Sequence, residues 1–178
     1  MRKTFTLTFI VLITIALTYA LAHYMKMDSF AFAWALNFLL MACVLNFTEA
    51  LKEQLVSRYY DEQTWERGGK IYQSLGVNFY RKLLVWIGWE KLNKKSNPVE
   101  KNTEALIHLH NRTKKSELGH LLILIIVLGF NIFVAFKFGI LQSLWLLGLN
   151  ILFNLYPILL QRYNRPRIVR AVKISERR

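Results

Sequence analysis

A carboxylate and an imidazole lie three residues apart in this chain, at Glu117 and His120, where a charged stretch gives way to an apolar one. Residues i and i+3 share one face of a helix, with Cβ atoms about 5–6 Å apart. A carboxylate in that place can accept the imidazole N–H and orient the ring, so that the other ring nitrogen takes a proton from a substrate hydroxyl. Histidine suits this role because it titrates near neutral pH. The pair predicts a general base, and the alternative is an interfacial Glu and His with no part in catalysis.

Three arginines near the C-terminal end form a second candidate site, for an anion. Arg162, Arg165 and Arg167 could hold a phosphate or a carboxylate, since a guanidinium binds either one bidentately. The alternative is a basic anchor at a membrane surface. Arg165 precedes a proline and is therefore biased away from the α conformation, so we expect the helix before it to end near Asn164.

Other kinds of chemistry find little support in the sequence. The chain has no GxSxG, P-loop, GxGxxG or HExxH motif. Its one cysteine, Cys43, excludes a disulfide framework and a cysteine-rich zinc module. His108 and His110 are two residues apart and point to different faces of a helix, so we interpret them as surface histidines rather than metal ligands. No metal and no resident cofactor are predicted.

Four segments without Lys, Arg, Asp or Glu must position these groups. They cover residues 5–25, 30–47, 119–136 and 138–160. About 20 apolar residues cross a bilayer core, so all four qualify as transmembrane helices. The first one, with Met1-Arg2-Lys3 before it and Ala20-Leu21-Ala22 at its end, also resembles a signal peptide, but we interpret it as a retained span. The prediction is an all-α integral membrane protein, with residues 1–178 forming a single membrane domain.

The distribution of charge predicts how the chain is oriented. Of the 24 Lys and Arg residues, all except Lys26 and Lys137 lie on one side if both termini and the segment between the second and third spans are cytoplasmic. That arrangement satisfies the positive-inside rule. A net charge of +13 could also suggest nucleic acid. Topogenic charge and attraction to anionic lipid explain it better here, so no nucleic-acid partner is predicted.

The segment between the second and third spans has its own organisation. We expect residues 48–60 to continue the second helix, and the pair Gly68-Gly69 to break the helical pattern. Residues 61–92 interleave Trp and Tyr with charged groups, which predicts an amphipathic stretch in the membrane plane. Residues 91–102 are polar and contain a proline, which predicts a mobile loop. Thr103 is the predicted N-cap of a helix that merges into the third span, and residues 161–178 form a basic tail.

Polar residues inside the spans are expected to face the helix bundle. The candidates are Asn131, Asn150 and Asn154, with a role in hydrogen bonding between helices. Pro157 should free a backbone carbonyl and kink the last span, which membrane helices tolerate when neighbouring groups satisfy that carbonyl. Asn154 is well placed to help satisfy that carbonyl.

Three stretches carry a family resemblance. They are residues 65–72 (WERGGKIY), residues 112–120 (RTKKSELGH), and Asn154 followed by residues 161–167 (QRYNRPR). From about Trp65 to the C-terminus the chain resembles the glycosyl-4,4'-diaponeurosporenoate acyltransferase family. That family completes staphyloxanthin by adding a fatty acyl group to the sugar of a carotenoid glycoside. Residues 161–167 are the most specific part of the resemblance, and the Glu117/His120 pair is the next.

The resemblance implies an O-acyltransferase of the bacterial cytoplasmic membrane, at work in carotenoid or glycolipid biosynthesis. A long-chain acyl group would pass from a cytoplasmic thioester, acyl-CoA or acyl-carrier protein, to a hydroxyl, expected to be that of a sugar, on a membrane lipid or carotenoid glycoside. Glu117 and His120 would be catalytic. The implied substrate-binding residues are Glu66, Asn154, Gln161, Arg162, Tyr163, Asn164, Arg165 and Arg167. The alternative is a non-catalytic membrane protein that binds lipid or scaffolds a partner enzyme, in which Glu117 and His120 would tolerate substitution.

Overall fold

The computed structural model describes residues 2–51, 55–89 and 102–177, and their regular secondary structure is helical, with no strand. The prediction of an all-α protein is confirmed for these residues. The helices, in chain order, are α1 (Arg2–Tyr24), α2 (Phe30–Leu51), 3₁₀ turns at Arg58–Tyr60 and Thr64–Glu66, α3 (Ile71–Ser74), α4 (Val77–Trp86), α5 (Thr103–Phe138), α6 (Ile140–Asn150), a π-helical turn (Ile151–Leu155) and α7 (Tyr156–Ser175).

Four helices are long and apolar enough to cross a membrane. They are Lys3–Tyr24, Phe30–Leu51, Thr103–Phe138 and the continuous run Ile140–Ser175. Two of them contain the predicted spans 30–47 and 119–136, and the other two cover all but one or two residues of the predicted spans 5–25 and 138–160. The last two are 36 residues each, about twice what a bilayer core needs, so each extends well beyond its apolar part.

The chain divides into two compact units. The first unit comprises Met1–Glu53 and Glu117–Pro157, and the second comprises Gln54–Ser116 and Ile158–Arg178. The long helix α5 and the run that ends in α7 each contribute residues to both units.

The first unit is built on an apolar seam between α2, α5 and α6. On α2, the buried residues Phe32, Leu36, Leu40 and Val44 recur every four positions and form one stripe. Ile123, Val127 and Val134 of α5 and Leu146 of α6 complete the core. Gly119 packs beside Val44, and a Cβ added there would be in van der Waals contact with Val44 Cγ1 at 3.4 Å. By contrast, no residue of the apolar window of α1 is buried.

The second unit contains the predicted glycine break. Arg67 has φ +50°, and Gly68 and Gly69 also have positive φ. A Cβ at Gly69 would lie 2.9 Å from the Tyr163 carbonyl oxygen, so a glycine is needed there for space as well as for conformation. A small core of Tyr72, Val77 and Tyr163 lies beside it.

The helix α4 has a buried and an exposed side, and its predicted amphipathic character stays a prediction. Val77 and Tyr80 are buried, whereas Phe79 is 73% and Trp86 is 84% exposed. Placement of this stretch in the membrane plane stays a prediction. The predicted loop at 91–102 lies outside the described residues except for Asn102.

Two predictions about the central segment are wrong. Residues 48–60 do not form one continuous helix, since α2 ends at Leu51 and Leu55–Ser57 are not helical. The carbonyls of Leu55, Tyr59 and Tyr60 instead accept hydrogen bonds from Lys114, Arg162 and Arg165. Thr103 is also not the N-cap of α5. Asn102 occupies that position, because its Oδ1 accepts from Ala105 N at 2.7 Å.

The expectation that the last helix ends near Asn164 is also wrong. The helix α7 continues through Pro166 to Ser175. Pro166 removes a single backbone donor, and the bias it places on Arg165 is a preference that tertiary contacts can override. Here Tyr163 and Arg165 are buried and bonded within the second unit on both sides of the predicted end. The residues 161–175 of the predicted basic tail are therefore helical.

Candidate active site

His120 lies on α5 in the first unit, directly after Gly119, which packs against Val44. Its ring is half-buried. Nδ1 of the ring lies 3.3 Å from Oδ1 of Asn154, on the π-helical turn. The imidazole is therefore held by a neutral amide.

Asn154 is itself fixed by two further asparagines. Its Nδ2 donates to Oδ1 of Asn37 at 2.7 Å and to Oδ1 of Asn150 at 2.9 Å. These three asparagines are almost completely buried. Buried amides must find partners, because an unpaired one costs about 1–3 kcal/mol. We call Asn37, Asn150 and Asn154 the amide cluster. The prediction that Asn131, Asn150 and Asn154 face inward is confirmed, since all three are buried and bonded.

The π-helical turn explains how Asn154 reaches this position. Tyr156 N donates to Ile151 O, one residue further back than in an α-helix. Pro157 follows at once, and it has no N–H to give the Phe153 carbonyl. The carbonyl that Pro157 is predicted to free therefore belongs to the residue directly before Asn154, whose side chain contacts the imidazole.

Glu117 is fully buried one turn before His120 on α5. The spacing places both on one helix face, as predicted. The side-chain bond that the structure gives the His120 ring is to Asn154. A direct Glu117–His120 hydrogen bond stays a prediction, as does a catalytic role for either residue.

Glu66, in the second unit, is a buried carboxylate with several donors around it. It is 2% exposed. Tyr72 Oη and Arg162 Nη1 donate to Oε1, the latter at 3.3 Å, and Gln63 N donates to Oε2 at 2.7 Å. The WERGGKIY stretch therefore folds around its own carboxylate, and Arg162 reaches it from α7.

Arg162 and Arg165, both proposed from sequence as anion ligands, bind protein groups. Arg162 Nη2 donates to Tyr59 O at 2.8 Å. Arg165 is 4% exposed, and its Nε and Nη1 donate to Thr113 Oγ1 and Tyr60 O, each at 3.3 Å. Each guanidinium also lies over a tyrosine ring, at 4.4 Å from the Tyr59 centroid and 5.3 Å from the Tyr60 centroid. These contacts make both arginines parts of the folded second unit.

Arg167 has a different environment. Its guanidinium lies 3.7 Å from the Tyr163 ring centroid, and that of Arg81 lies 5.6 Å from the same centroid. Gln73 Nε2 donates to Tyr163 Oη at 3.3 Å. In the part of the chain that the structure describes, neither Arg81 nor Arg167 forms an ion pair with a carboxylate. Two cations beside one phenol can attract an anion. Sequence reasoning selected Arg167 and Tyr163 but missed Arg81 and Gln73, which are distant in sequence.

The remaining predicted residues are placed as follows. Gln161 Nε2 donates to Ser116 Oγ at 3.1 Å, and Asn164 is half-buried on α7. Among the described residues, no group of three or more His, Cys, Asp and Glu side chains is arranged to hold a metal ion.

The comparison with protein families decides the assignment. The family model of glycosyl-4,4'-diaponeurosporenoate acyltransferase matches residues 56–174, which are 119 of the 178 residues. The chain belongs to this family. The suspected resemblance is confirmed, and with it the expectation of an acyltransferase associated with carotenoid glycosides. No curated protein and no solved structure matches the chain.

In this acyltransferase, the family match contains Glu66, Glu117, His120, Asn154 and the stretch 161–167. It begins after α1 and α2, so Asn37 lies outside it. The amide cluster thus joins two asparagines within the matched region to one outside it.

Proposed function

We propose that this acyltransferase moves a long-chain acyl group from a cytoplasmic thioester to a hydroxyl of a membrane lipid, with the sugar of a carotenoid glycoside as the leading acceptor. The donor is acyl-CoA or acyl-carrier protein. The family match supports acyl transfer, and the four apolar helices support a lipid acceptor. The observation that carries the site assignment is the His120–Asn154 hydrogen bond, since an imidazole held in one orientation is what a general base requires.

In the proposed reaction, His120 takes the proton of the acceptor hydroxyl as the hydroxyl oxygen attacks the thioester carbonyl carbon. The tetrahedral oxyanion then collapses, the C–S bond breaks, and the thiolate leaves with the proton from the imidazolium. The ester bond forms, and no net proton is gained or lost. Asn154 Oδ1 favours the imidazolium by accepting the hydrogen bond of its Nδ1–H.

Recognition of the donor is assigned to the second unit. Both candidate donors carry phosphate on the arm that bears the thioester. Arg167 and Arg81 fit this anion better than Arg165, because Arg165 is buried on protein acceptors whereas the other two lack a carboxylate partner in the described chain. Glu66 and Arg162 support the unit by holding the Trp65–Tyr72 stretch against α7.

The setting we propose is the bacterial cytoplasmic membrane with both termini and the second unit in the cytoplasm. The support is the charge distribution, since 19 of the 24 basic residues belong to the ranges of the second unit. Reporter fusions after residue 27 should be exported, and those after residue 178 should be cytoplasmic. An exported reporter at the C-terminus would contradict this orientation.

The experiment that tests the function is an acyl-transfer assay with the purified full chain in nanodiscs. The donors are palmitoyl-CoA and palmitoyl-acyl-carrier protein, and the acceptor is a carotenoid glycoside extracted from a producing strain. Formation of the acyl glycoside by mass spectrometry supports the proposal. His120→Gln should lower the rate about 10²–10⁴-fold, the usual effect of losing a general base.

The matched control is His108→Gln, on the same helix α5 but exposed. It should keep the wild-type rate. If His120→Gln turns over like the wild type, His120 is not the base. If no donor yields a product, the non-catalytic role in lipid binding or scaffolding replaces the enzyme.

A further inference from the structure

The amide cluster fixes more than the position of His120, because hydrogen bonds have a direction. Oxygen and nitrogen of an asparagine amide are nearly indistinguishable by shape and must be assigned from their partners. A backbone carbonyl can only accept, so it provides an unambiguous starting point.

Two backbone carbonyls lie at the edges of the amide cluster and accept hydrogen bonds from it. Asn37 Nδ2 donates to Ala33 O at 2.8 Å, and Asn150 Nδ2 donates to Leu124 O at 3.0 Å. In Asn37 and in Asn150, the Nδ2 group therefore faces the backbone carbonyl, and Oδ1 faces away from it. Both oxygens point to Asn154, at 2.7 and 2.9 Å from its Nδ2.

Asn154 is then fixed as well. Its two N–H groups are used by the oxygens of Asn37 and Asn150. A flipped Asn154 would place its oxygen against two other oxygens, which costs two buried hydrogen bonds. Oδ1 of Asn154 therefore faces His120 and can only accept.

A neutral imidazole meets an acceptor through its single N–H. We infer that the three asparagines lock His120 in the Nδ1–H tautomer and leave the Nε2 lone pair as the proton acceptor. The inference rests on the proposed role of His120, which it deepens. Asn154, Asn150 and Asn37 are positioning residues that act through the ring. Free histidine in water prefers the other tautomer, so the effect is measurable.

The competing partner is the backbone of Phe153. Its carbonyl lacks an N–H donor at Pro157 and lies near the ring. If it received the single N–H through Nε2, Asn154 Oδ1 would face an unprotonated Nδ1, and two acceptors would meet. The buried amide bonds disfavour this arrangement.

The test is a long-range ¹H–¹⁵N correlation spectrum of the full chain, labelled with [¹⁵N]histidine, in nanodiscs at a pH where the rings are neutral. The chain has four histidines, and His120 is assigned by its absence in His120→Gln. The expected pattern for His120 has the proton on Nδ1. A proton on Nε2 in the wild-type protein would overturn the inference without any variant having to fold.

The decisive variant is the double change Asn37→Leu with Asn150→Leu, which leaves His120 and Asn154 in place. It removes both acceptors of the Asn154 N–H groups, so the Asn154 amide can flip and His120 should populate both tautomers. We expect kcat to fall at least about tenfold with little change in donor KM, since a wrongly held tautomer can cost a histidine base as much as about 10⁴-fold.

The matched control is Asn131→Leu. Asn131 is also a buried asparagine of the first unit, and its Nδ2 donates to Ser143 O at 2.7 Å, outside the amide cluster. It should leave the His120 tautomer unchanged. An equal change of tautomer in Asn131→Leu, or none in the double variant, would contradict the inference.

The two hypotheses fail in different ways. A proton on Nδ1 combined with normal turnover of His120→Gln removes the catalytic proposal and keeps the tautomer lock. A proton on Nε2 combined with an inactive His120→Gln removes the lock and keeps the base.

Discussion

The two units of this acyltransferase handle polar groups in opposite ways. Apart from the buried Glu117 carboxylate, the first unit uses neutral amides, in the amide cluster and in the Asn131–Ser143 contact. The second uses ions and aromatic rings, with Arg162 on Glu66 and Tyr59, Arg165 on Tyr60 and Arg167 on Tyr163. It also holds 19 of the 24 basic and 7 of the 11 acidic residues.

This difference between amides and ions follows from the surroundings that each unit is suited to, the bilayer for the first unit and water for the second. A charge in the middle of a bilayer costs at least about 2.5–3.5 kcal/mol, whereas an amide can be satisfied by its neighbours. Amides also carry direction, which makes them suitable for orienting a ring. Guanidinium groups carry charge, which makes them suitable for binding anions. In the proposed mechanism, the neutral amides of the first unit orient the imidazole, and guanidinium groups of the second unit bind the anionic donor.

The largest effect expected from breaking this division is the loss of the Glu117/His120 pair in the first unit. His120→Ala should lower the rate about 10²–10⁴-fold, and Glu117→Gln should have a similar or smaller effect. If the two act together, the double variant should be scarcely slower than His120→Ala, because effects within a catalytic unit do not add. Single-turnover assays on the three variants measure this, with insertion and purification as the control. Fully additive losses would show that the residues act separately.

In the second unit, the largest effect should be on stability. Glu66→Gln removes the buried carboxylate that accepts hydrogen bonds from Arg162 and Tyr72, which should destabilise that unit by about 1–3 kcal/mol. Thermal unfolding in nanodiscs measures the change. Glu104→Gln, an exposed residue in the first turn of α5, should stay within about 0.5 kcal/mol of the wild type. Equal midpoints for the two variants would mean that the Glu66 ion pair contributes nothing.

A smaller effect is expected at the proposed phosphate ligands. Arg167→Gln and Arg81→Gln should each raise donor KM about tenfold, the value of one charged hydrogen bond, with kcat nearly unchanged. Initial rates over a range of donor concentrations give the two constants. Lys173→Gln, an exposed cation on the same helix as Arg167, is the control and should change neither. A fall in kcat alone would move these arginines from binding to another role.

The smallest effect is expected at the exposed surface of α4, where the measurement concerns the depth of Trp86 in the bilayer. Trp86 is amphipathic and 84% exposed, so it should lie at headgroup depth. In a variant that keeps Trp86 as its single tryptophan, shallow quenchers should reduce fluorescence more than mid-bilayer quenchers. A variant that keeps only Trp145, on the apolar helix α6, serves as the reference for a span. Identical quenching profiles would place α4 at the same depth as α6.

The sequence predicted the parts of the molecule that depend on local pattern. Apolar length identified the four helices, and a glycine pair identified the break at Gly68 and Gly69. It could not predict which polar groups meet. Asn37 and Asn46 lie nine residues apart in the same helix, yet Asn37 bonds Asn154 while Asn46 is exposed and bonds its own helix at Ala42.

The misplaced helix end has the same cause. A proline after Arg165 is a local signal to stop, and the buried contacts of Arg165 with Thr113 and Tyr60 outweigh it. Those partners are more than fifty residues away in the chain, so no local pattern reports them.

The hydrogen bond between Asn37 and Asn154 has a consequence for inheritance. Asn154 lies inside the region that defines the family, whereas Asn37 belongs to a helix that precedes it. Two residues that complete each other's bonding are constrained by selection as a pair, so descendants that change one should change the other. We therefore expect the position of Asn37 to vary together with that of Asn154, even where the rest of the N-terminal helices diverges.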